Sequence, residues 1–332
     1  MGLNRRDWLT GFGATGLAGL TPAVPARAQN APPDDLAALQ PEAQALVANL
    51  ITRMAARVRV NEAGPFTFVI DTGAARTAVS DVLAASLALP PGPTVLVHGL
   101  TEAALTPTVR LARLEFGPRR FRDLEAPVFP RDSLGADGLL GLDVLSRYRL
   151  TINVVRRTVQ IAPSGSDLLG AELTRLVPTR LRREGIGVRR ARFGQMVLFD
   201  VAADDVPVEA FVDSGSQYSL GNMALYRSIA VRRPDWRERH WRAPLYGVTG
   251  DSLEGDLAVV EQLRIAHRQL GPTPVLFADL HAFEALDLIA RPALLIGADL
   301  IGRFASLSID FARSRMEFGP VLRRPPPPSP LG

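Results

Sequence analysis

Two short stretches of the chain place a carboxylate where an apolar run ends. Phe68–Ser80 reads FVIDTGAARTAVS, and Ala210–Leu220 reads AFVDSGSQYSL. In each, an aspartate (Asp71, Asp213) is followed by a small hydroxyl residue (Thr72, Ser214) and then by a glycine (Gly73, Gly215). An Asp at the end of an apolar strand serves either a turn or chemistry, and a single Asp-Thr-Gly does not decide which. The second copy lies 142 residues after the first, and Thr77 and Ser219 each fall six residues past their Asp. Two carboxylates brought within a few ångströms share one proton, and such a pair can activate water.

Other hydrolytic chemistries find little support. The chain has no Cys, which excludes disulfides, thiol catalysis and Cys-ligated metals. Its four His (His98, His240, His267, His281) are scattered without metal-ligand spacing, so zinc hydrolysis and a Ser-His-Asp triad are poor candidates. Neither a metal nor a cofactor is expected. All basic residues are Arg, and the formal net charge is only +4, so nucleic-acid binding is not implied.

The elements around the two aspartates also recur. RVRVNEAGPFTFVID predicts a hairpin turning at 61–64, and MVLFDVAADDVPVEAFVD one turning at 203–205. Downstream, His98-Gly99 and Tyr246-Gly247 occupy turn-rich stretches between strands. Further on, DGLLGLDVLSRYRL and ALLIGADLIGRFAS each run from apolar residues into a glycine (Gly141, Gly297) and a Gly-x-Asp step. Asp143 and Asp299 are expected to cap the short helices that follow. The 27 Pro and 28 Gly favour turns and short strands. The chain therefore reads as mostly β, with homologous halves at 58–163 and 194–319 joined by a connector over 164–193. Within the second half's extra loop, Arg232–Pro244, Trp236 and Trp241 are candidates for a substrate wall.

The doubled pattern of strand, Asp-(Thr/Ser)-Gly, flap-like hairpin and apolar-apolar-Gly resembles the aspartic peptidases of the pepsin and retropepsin kind. The resemblance spans about 58–319. It implies a two-lobed pepsin-like arrangement of two retropepsin-like β-barrel lobes with short helices. It implies Asp71 and Asp213 as a catalytic dyad that hydrolyses peptide bonds, with an extended polypeptide as substrate and no cofactor. Thr72, Gly73, Ser214, Gly215 and Ser216 would support the dyad. His98, Gly99, Tyr246 and Gly247 would form flaps over the substrate, and Gly141 and Gly297 the loops beside each Asp. At the third position past each Asp, Ala74 faces Ser216; the family often places a hydroxyl there on the outer carboxylate oxygen, which would make Asp213 the better-stabilised anion. The alternative is a non-catalytic, protease-like envelope protein that holds peptides without cutting them. A pseudo-twofold within one chain makes a monomer the expected state.

The N-terminus resembles a twin-arginine export signal: Asn4-Arg5-Arg6-Asp7-Trp8-Leu9, a mildly apolar stretch, and a small-residue cleavage site at 26–28. Residues 1–28 are expected to be removed, leaving a periplasmic or secreted chain with no integral membrane segment. Residues 29–57 are a candidate prosegment, and 320–332 a Pro-rich extended tail.

Overall fold

The computed structural model describes residues 54–165, 186–190, 194–238 and 240–322. The expected signal peptide, nearly all of the 29–57 segment, most of the connector and most of the tail lie outside the described residues. Among the described residues, no helix is long and apolar enough to cross a membrane.

The first lobe contains β1 (Ala55–Val60), β2 (Ala63–Ile70), β3 (Ala78–Ser80), β4 (Val95–His98), β5 (Ala103–Thr106), β6 (Thr108–Phe116), β7 (Arg119–Phe129) and β8 (Gly138–Leu140). Six of these close a barrel in the order β1-β2-β8-β3-β7-β6, while β4 and β5 form a separate hairpin. A hairpin, β9 (Tyr148–Asn153) and β10 (Thr158–Pro163), completes the half. The lobe begins at Ala55, slightly before the expected boundary at 58.

The second lobe is built from β11 (Ile186–Arg190), β12 (Met196–Ala203), β13 (Val206–Val212), β14 (Leu220–Gly221), β15 (His240–Tyr246), β16 (Ser252–Val260), β17 (Leu263–Ile265), β18 (Arg268–Leu270), β19 (Thr273–Phe277) and β20 (Ala293–Ile296). It ends in the hairpin β21 (Ser306–Asp310) and β22 (Arg315–Phe318). Strand β11 falls inside the expected connector, yet it pairs with both β12 and β22 and so belongs to this lobe's sheet.

The same turn chemistry opens both lobes. Asn61 and Glu62, between β1 and β2, have φ of 47° and 71°; Asp204 and Asp205, between β12 and β13, have 45° and 61°. Two consecutive positive φ values match the twist of a tight two-residue hairpin, and Asn and Asp tolerate them best. Asn61 Oδ1 accepts the Arg113 N–H at 2.9 Å, and Asp204 Oδ1 accepts the Gln262 N–H at 2.8 Å. Each turn is thereby tied to its own lobe, the first to β6 and the second to the residue just before β17.

The halves are joined strand to strand. β9 of the first pairs antiparallel with β21 of the second, so one sheet runs beneath both lobes. Buried Arg149 secures the junction, donating from Nε to Ser308 Oγ at 2.9 Å and pairing with Glu317 at 3.0 Å. Trp236, expected as a substrate wall, is instead 1% exposed and packs among Tyr226 and Phe277, with its indole N–H on the Val259 carbonyl at 2.9 Å. An indole can be buried at little cost once its one donor is satisfied.

Candidate active site

Each aspartate is delivered by a strand that is buried on both flanks. β2 runs parallel to β8 and β13 parallel to β20. The last rung of each ladder fixes the Asp backbone: Asp71 N–H donates to Leu140 C=O, and Asp213 N–H to Ile296 C=O, both at 3.0 Å. Immediately beyond β8 and β20 come Gly141 and Gly297, where a Cβ would overlap the Arg76 backbone in one lobe and the Tyr218 backbone in the other. Only a glycine lets the two backbones approach this closely. The N–H groups of Leu142 and Asp143 then donate to Ala74 and Ala75, and those of Ala298 and Asp299 to Ser216 and Gln217.

Asp143 and Asp299 do not cap their helices, Leu142–Leu145 and Ala298–Ile301, whose N-caps are the glycines. Asp143 Oδ1 accepts both the N–H and the hydroxyl of Thr77, at 2.9 and 2.7 Å, and Asp299 Oδ1 accepts the Ser219 hydroxyl at 2.7 Å. Thr77 and Ser219 in turn accept the N–H of Gly141 and Gly297. These carboxylates brace the Asp71 and Asp213 loops from below. Burial raises Asp143 above the usual carboxylate range and pushes Asp299 up to about 6.

The two loops then interlock. Thr72 N–H donates to Ser214 Oγ at 3.3 Å, and Ser214 N–H to Thr72 Oγ1 at 3.1 Å. The Thr72 hydroxyl donates to Val212 C=O at 2.9 Å, and the Ser214 hydroxyl to Ile70 C=O at 2.7 Å. Both side chains are buried, so four hydrogen bonds form away from water across the pseudo-twofold. Asp71 Oδ1 accepts the N–H of Gly73 and Ala74, at 2.9 and 2.8 Å; Asp213 Oδ1 accepts those of Gly215 and Ser216, at 2.9 and 3.1 Å.

Each carboxylate lies against the other loop's glycine. A Cβ on Gly73 would fall 2.5 Å from Asp213 Cγ, and one on Gly215 would overlap Asp71 Cγ. Asp71 and Asp213 thus face each other closely enough for a side-chain hydrogen bond. Burial, and then the charge of Asp71, push the Asp213 carboxyl up to about 8. Such a pair titrates as a unit and holds one proton over a wide range of pH.

The Ser216 hydroxyl departs from its expected role. It donates to the Tyr218 carbonyl at 2.9 Å and not to a carboxylate oxygen; only the Ser216 backbone N–H serves Asp213. The Ser216 hydroxyl therefore gives Asp213 no advantage over Asp71 as the anion.

Two hairpins meet above the pair. His98 closes β4, and Gly99 begins the tip that leads to β5. The tip of β15–β16 reaches across: a Cβ on Gly99 would touch the Thr249 side chain, and one on Gly247 would overlap Thr101 Oγ1. Val97 and Val248, one from each hairpin, pack with Ala74 against the apolar cluster of Val69, Phe129, Leu134 and Leu139. Tyr246 does not turn inward; it is 73% exposed. Two residues with no motif around them also belong here. His281 stacks on His98, with His98 Nδ1 2.8 Å from His281 Nε2, and Gln195 donates to Gly73 C=O at 2.7 Å. Both come from sequence-distant elements of the second lobe, and no local pattern in the sequence marks them.

An aspartyl protease family model matches residues 56–144, the segment that contains Asp71 and Gly141. No curated protein matches the chain in sequence. Among solved structures, a retropepsin-like aspartic protease from Rickettsia conorii is 24% identical, with a TM-score of 0.23, and the match covers 28% of this chain and 70% of that one. Conglutin gamma, a basic 7S globulin from lupine seeds, is 11% identical with a TM-score of 0.41, covering 80% of this chain and 90% of the globulin. Basic 7S globulin from soybean is 10% identical with a TM-score of 0.39, covering 82% and 91%. Over residues 56–144, its first lobe, the chain is thus similar to the aspartyl proteases.

Proposed function

We propose that the protein is an aspartic endopeptidase whose dyad is Asp71 and Asp213. The observation that carries this reading is the mutual approach of the two carboxylates, each lodged against the glycine of the opposite loop. A purely structural pair of turn aspartates would gain nothing from being buried face to face, because like charges in a dry site repel.

One carboxyl of the pair is ionised and the other keeps the shared proton. A water held between them loses a proton to the ionised member as its oxygen attacks the scissile carbonyl. The protonated member hydrogen-bonds the carbonyl oxygen and gives up its proton as the tetrahedral gem-diol forms. Collapse of the diol passes a proton to the leaving nitrogen, which breaks the C–N bond and returns one proton to the pair. The substrate would lie extended beneath the hairpins at His98–Thr101 and Tyr246–Gly250, with its backbone pairing to theirs.

The test is cleavage of an unstructured polypeptide by the purified chain, with and without Asp71→Asn and Asp213→Asn. Loss of cleavage in both variants is the expected result. Full activity in either one would end the dyad reading, and a wild-type chain that binds peptides without cutting them would favour the binding-protein alternative. We propose export by the twin-arginine route from Asn4–Leu9; Arg5-Arg6→Lys-Lys should retain the precursor in the cytoplasm.

A further inference from the structure

The two halves of the pair are not supported equally. The peptide between Gly73 and Ala74 carries a hydrogen bond at each end. Its N–H, from Ala74, donates to Asp71 Oδ1 at 2.8 Å. Its C=O, from Gly73, accepts the Gln195 side-chain amide at 2.7 Å. Donation to the oxygen of a peptide draws charge from its nitrogen and makes its N–H a stronger donor, so hydrogen bonds in series reinforce one another. The chain from Gln195 Nε2 through the peptide to Asp71 is of this kind.

The matching peptide in the second lobe joins Gly215 and Ser216. Its N–H is 3.1 Å from Asp213 Oδ1 and is shared with the Asp213 backbone carbonyl at 3.2 Å. Among the described residues, nothing donates to the Gly215 carbonyl. Asp213 therefore accepts a longer, divided hydrogen bond from a peptide that is not polarised at its far end.

Gln195 is 7% exposed, and among the described residues its Oε1 has no partner. A buried amide left half satisfied costs stability that an apolar residue would not. It stands just before β12 and reaches from the second lobe to the first lobe's catalytic loop.

We propose that Gln195 is a positioning residue that polarises the Gly73–Ala74 peptide toward Asp71, keeping the pair's negative charge on Asp71 and its proton on Asp213. This rests on the proposed dyad and assigns its roles: Asp71 takes the proton from water, and Asp213 hydrogen-bonds the substrate carbonyl. Asp213 faces the Asp71 carboxyl, while Asp143 and Asp299 are turned to Thr77 and Ser219 beneath the loops.

Carboxyl 13C NMR titration of the full-length chain reads the effect without turnover. In an Asp213→Asn background only Asp71 remains of the pair, and adding Gln195→Met, close in shape but without the donor, should raise the Asp71 midpoint by about half a pH unit or more. In an Asp71→Asn background, the same change should leave the Asp213 midpoint in place. An unmoved Asp71, or equal shifts in both backgrounds, overturns the proposal. Gln195→Asn, one methylene too short to reach, must reproduce the shift, and it serves if the Met variant does not fold. In the otherwise wild-type enzyme, either change should move the acid limb of kcat/KM to higher pH, whereas a general loss of packing would lower the rate at every pH. A chain that cuts no peptide but shows the Asp71 shift would sink the peptidase reading and leave the role of Gln195 standing.

Discussion

Thr72 and Ser214 each accept the other's backbone N–H, at 3.1 and 3.3 Å, and each sends its hydroxyl to the strand that carries the other's aspartate. The result is a buried square of four hydrogen bonds that ties the lobes together at the pair. Thr72→Val keeps the shape but removes one hydroxyl, leaving the Ser214 N–H and the Val212 carbonyl without their partner. Each unsatisfied buried group costs about 1–3 kcal/mol. Thermal or urea unfolding should therefore show a loss of about 2–6 kcal/mol, and Thr72→Ser should recover most of it. A Val variant as stable as the wild type would mean that the square contributes nothing to holding the lobes.

Two glycines in the first lobe make close approaches of different kinds, and alanine should separate them. At Gly73 the added Cβ meets the Asp213 carboxylate, the end of a side chain that can rotate away. Gly73→Ala should fold with nearly wild-type Tm but lose about 100-fold or more in kcat, because the pair is forced apart. At Gly141 the Cβ meets the Arg76–Thr77 backbone, which cannot rotate away. Gly141→Ala should lower stability by about 1–3 kcal/mol, the range for overpacking. Parallel Tm and kcat measurements decide the matter; the same outcome for both variants would refute the distinction.

Much of this site could be read from the sequence because its parts are local and doubled. Asp71 with Gly73, and Asp213 with Gly215, lie within three-residue motifs, and Gly141 and Gly297 follow recognisable apolar runs. The hairpin turns were equally legible, since Asn61 and Asp204 are residues that favour positive φ. What escaped the sequence was contact between distant segments. Gln195 is 122 residues from Gly73 and His281 is 183 from His98, and neither stands in a patterned stretch. The partner of the Ser216 hydroxyl is not legible either, because residue type does not say which acceptor a rotating O–H takes. Trp236 was misplaced because a polar, Arg-rich surrounding conceals a side chain turned into the core. Strand β11 was hidden by the Arg-rich sequence around it.

The Asp213 carboxyl, raised to about 8, links folding to pH. In the unfolded chain an Asp releases its proton near pH 4, so between about 4 and 8 the folded state holds a proton that the unfolded state does not. Stability from that proton is complete below the unfolded value and is lost as pH rises through about 8. Asp213→Asn removes the dependence and the like-charge repulsion together. The variant should exceed the wild type in Tm at pH 8.5 by about 5 °C or more, with the gap closing toward pH 4. A gap that widens toward acid would show that Asp213 is held as the anion.

The tip of the β4–β5 hairpin is fastened to the second lobe by His281 and its helix, His281–Ala285. His98 Nδ1 meets His281 Nε2 at 2.8 Å, and the Ala282 N–H donates to the Leu100 carbonyl at 3.1 Å. Glu284 lies 3.5 Å from the other nitrogen of His281 and helps to orient the ring. A solvent-accessible hydrogen bond of this type is worth about 0.5–1.5 kcal/mol, which corresponds to roughly a threefold to tenfold change in an opening equilibrium. His281→Ala should therefore speed amide exchange at Ala282 and Gly99 by about that factor. The Asp71 amide, bonded to the Leu140 carbonyl within the barrel, should be unaffected. If Ala282 exchanges no faster in the variant, the imidazole pair does not fasten the hairpin.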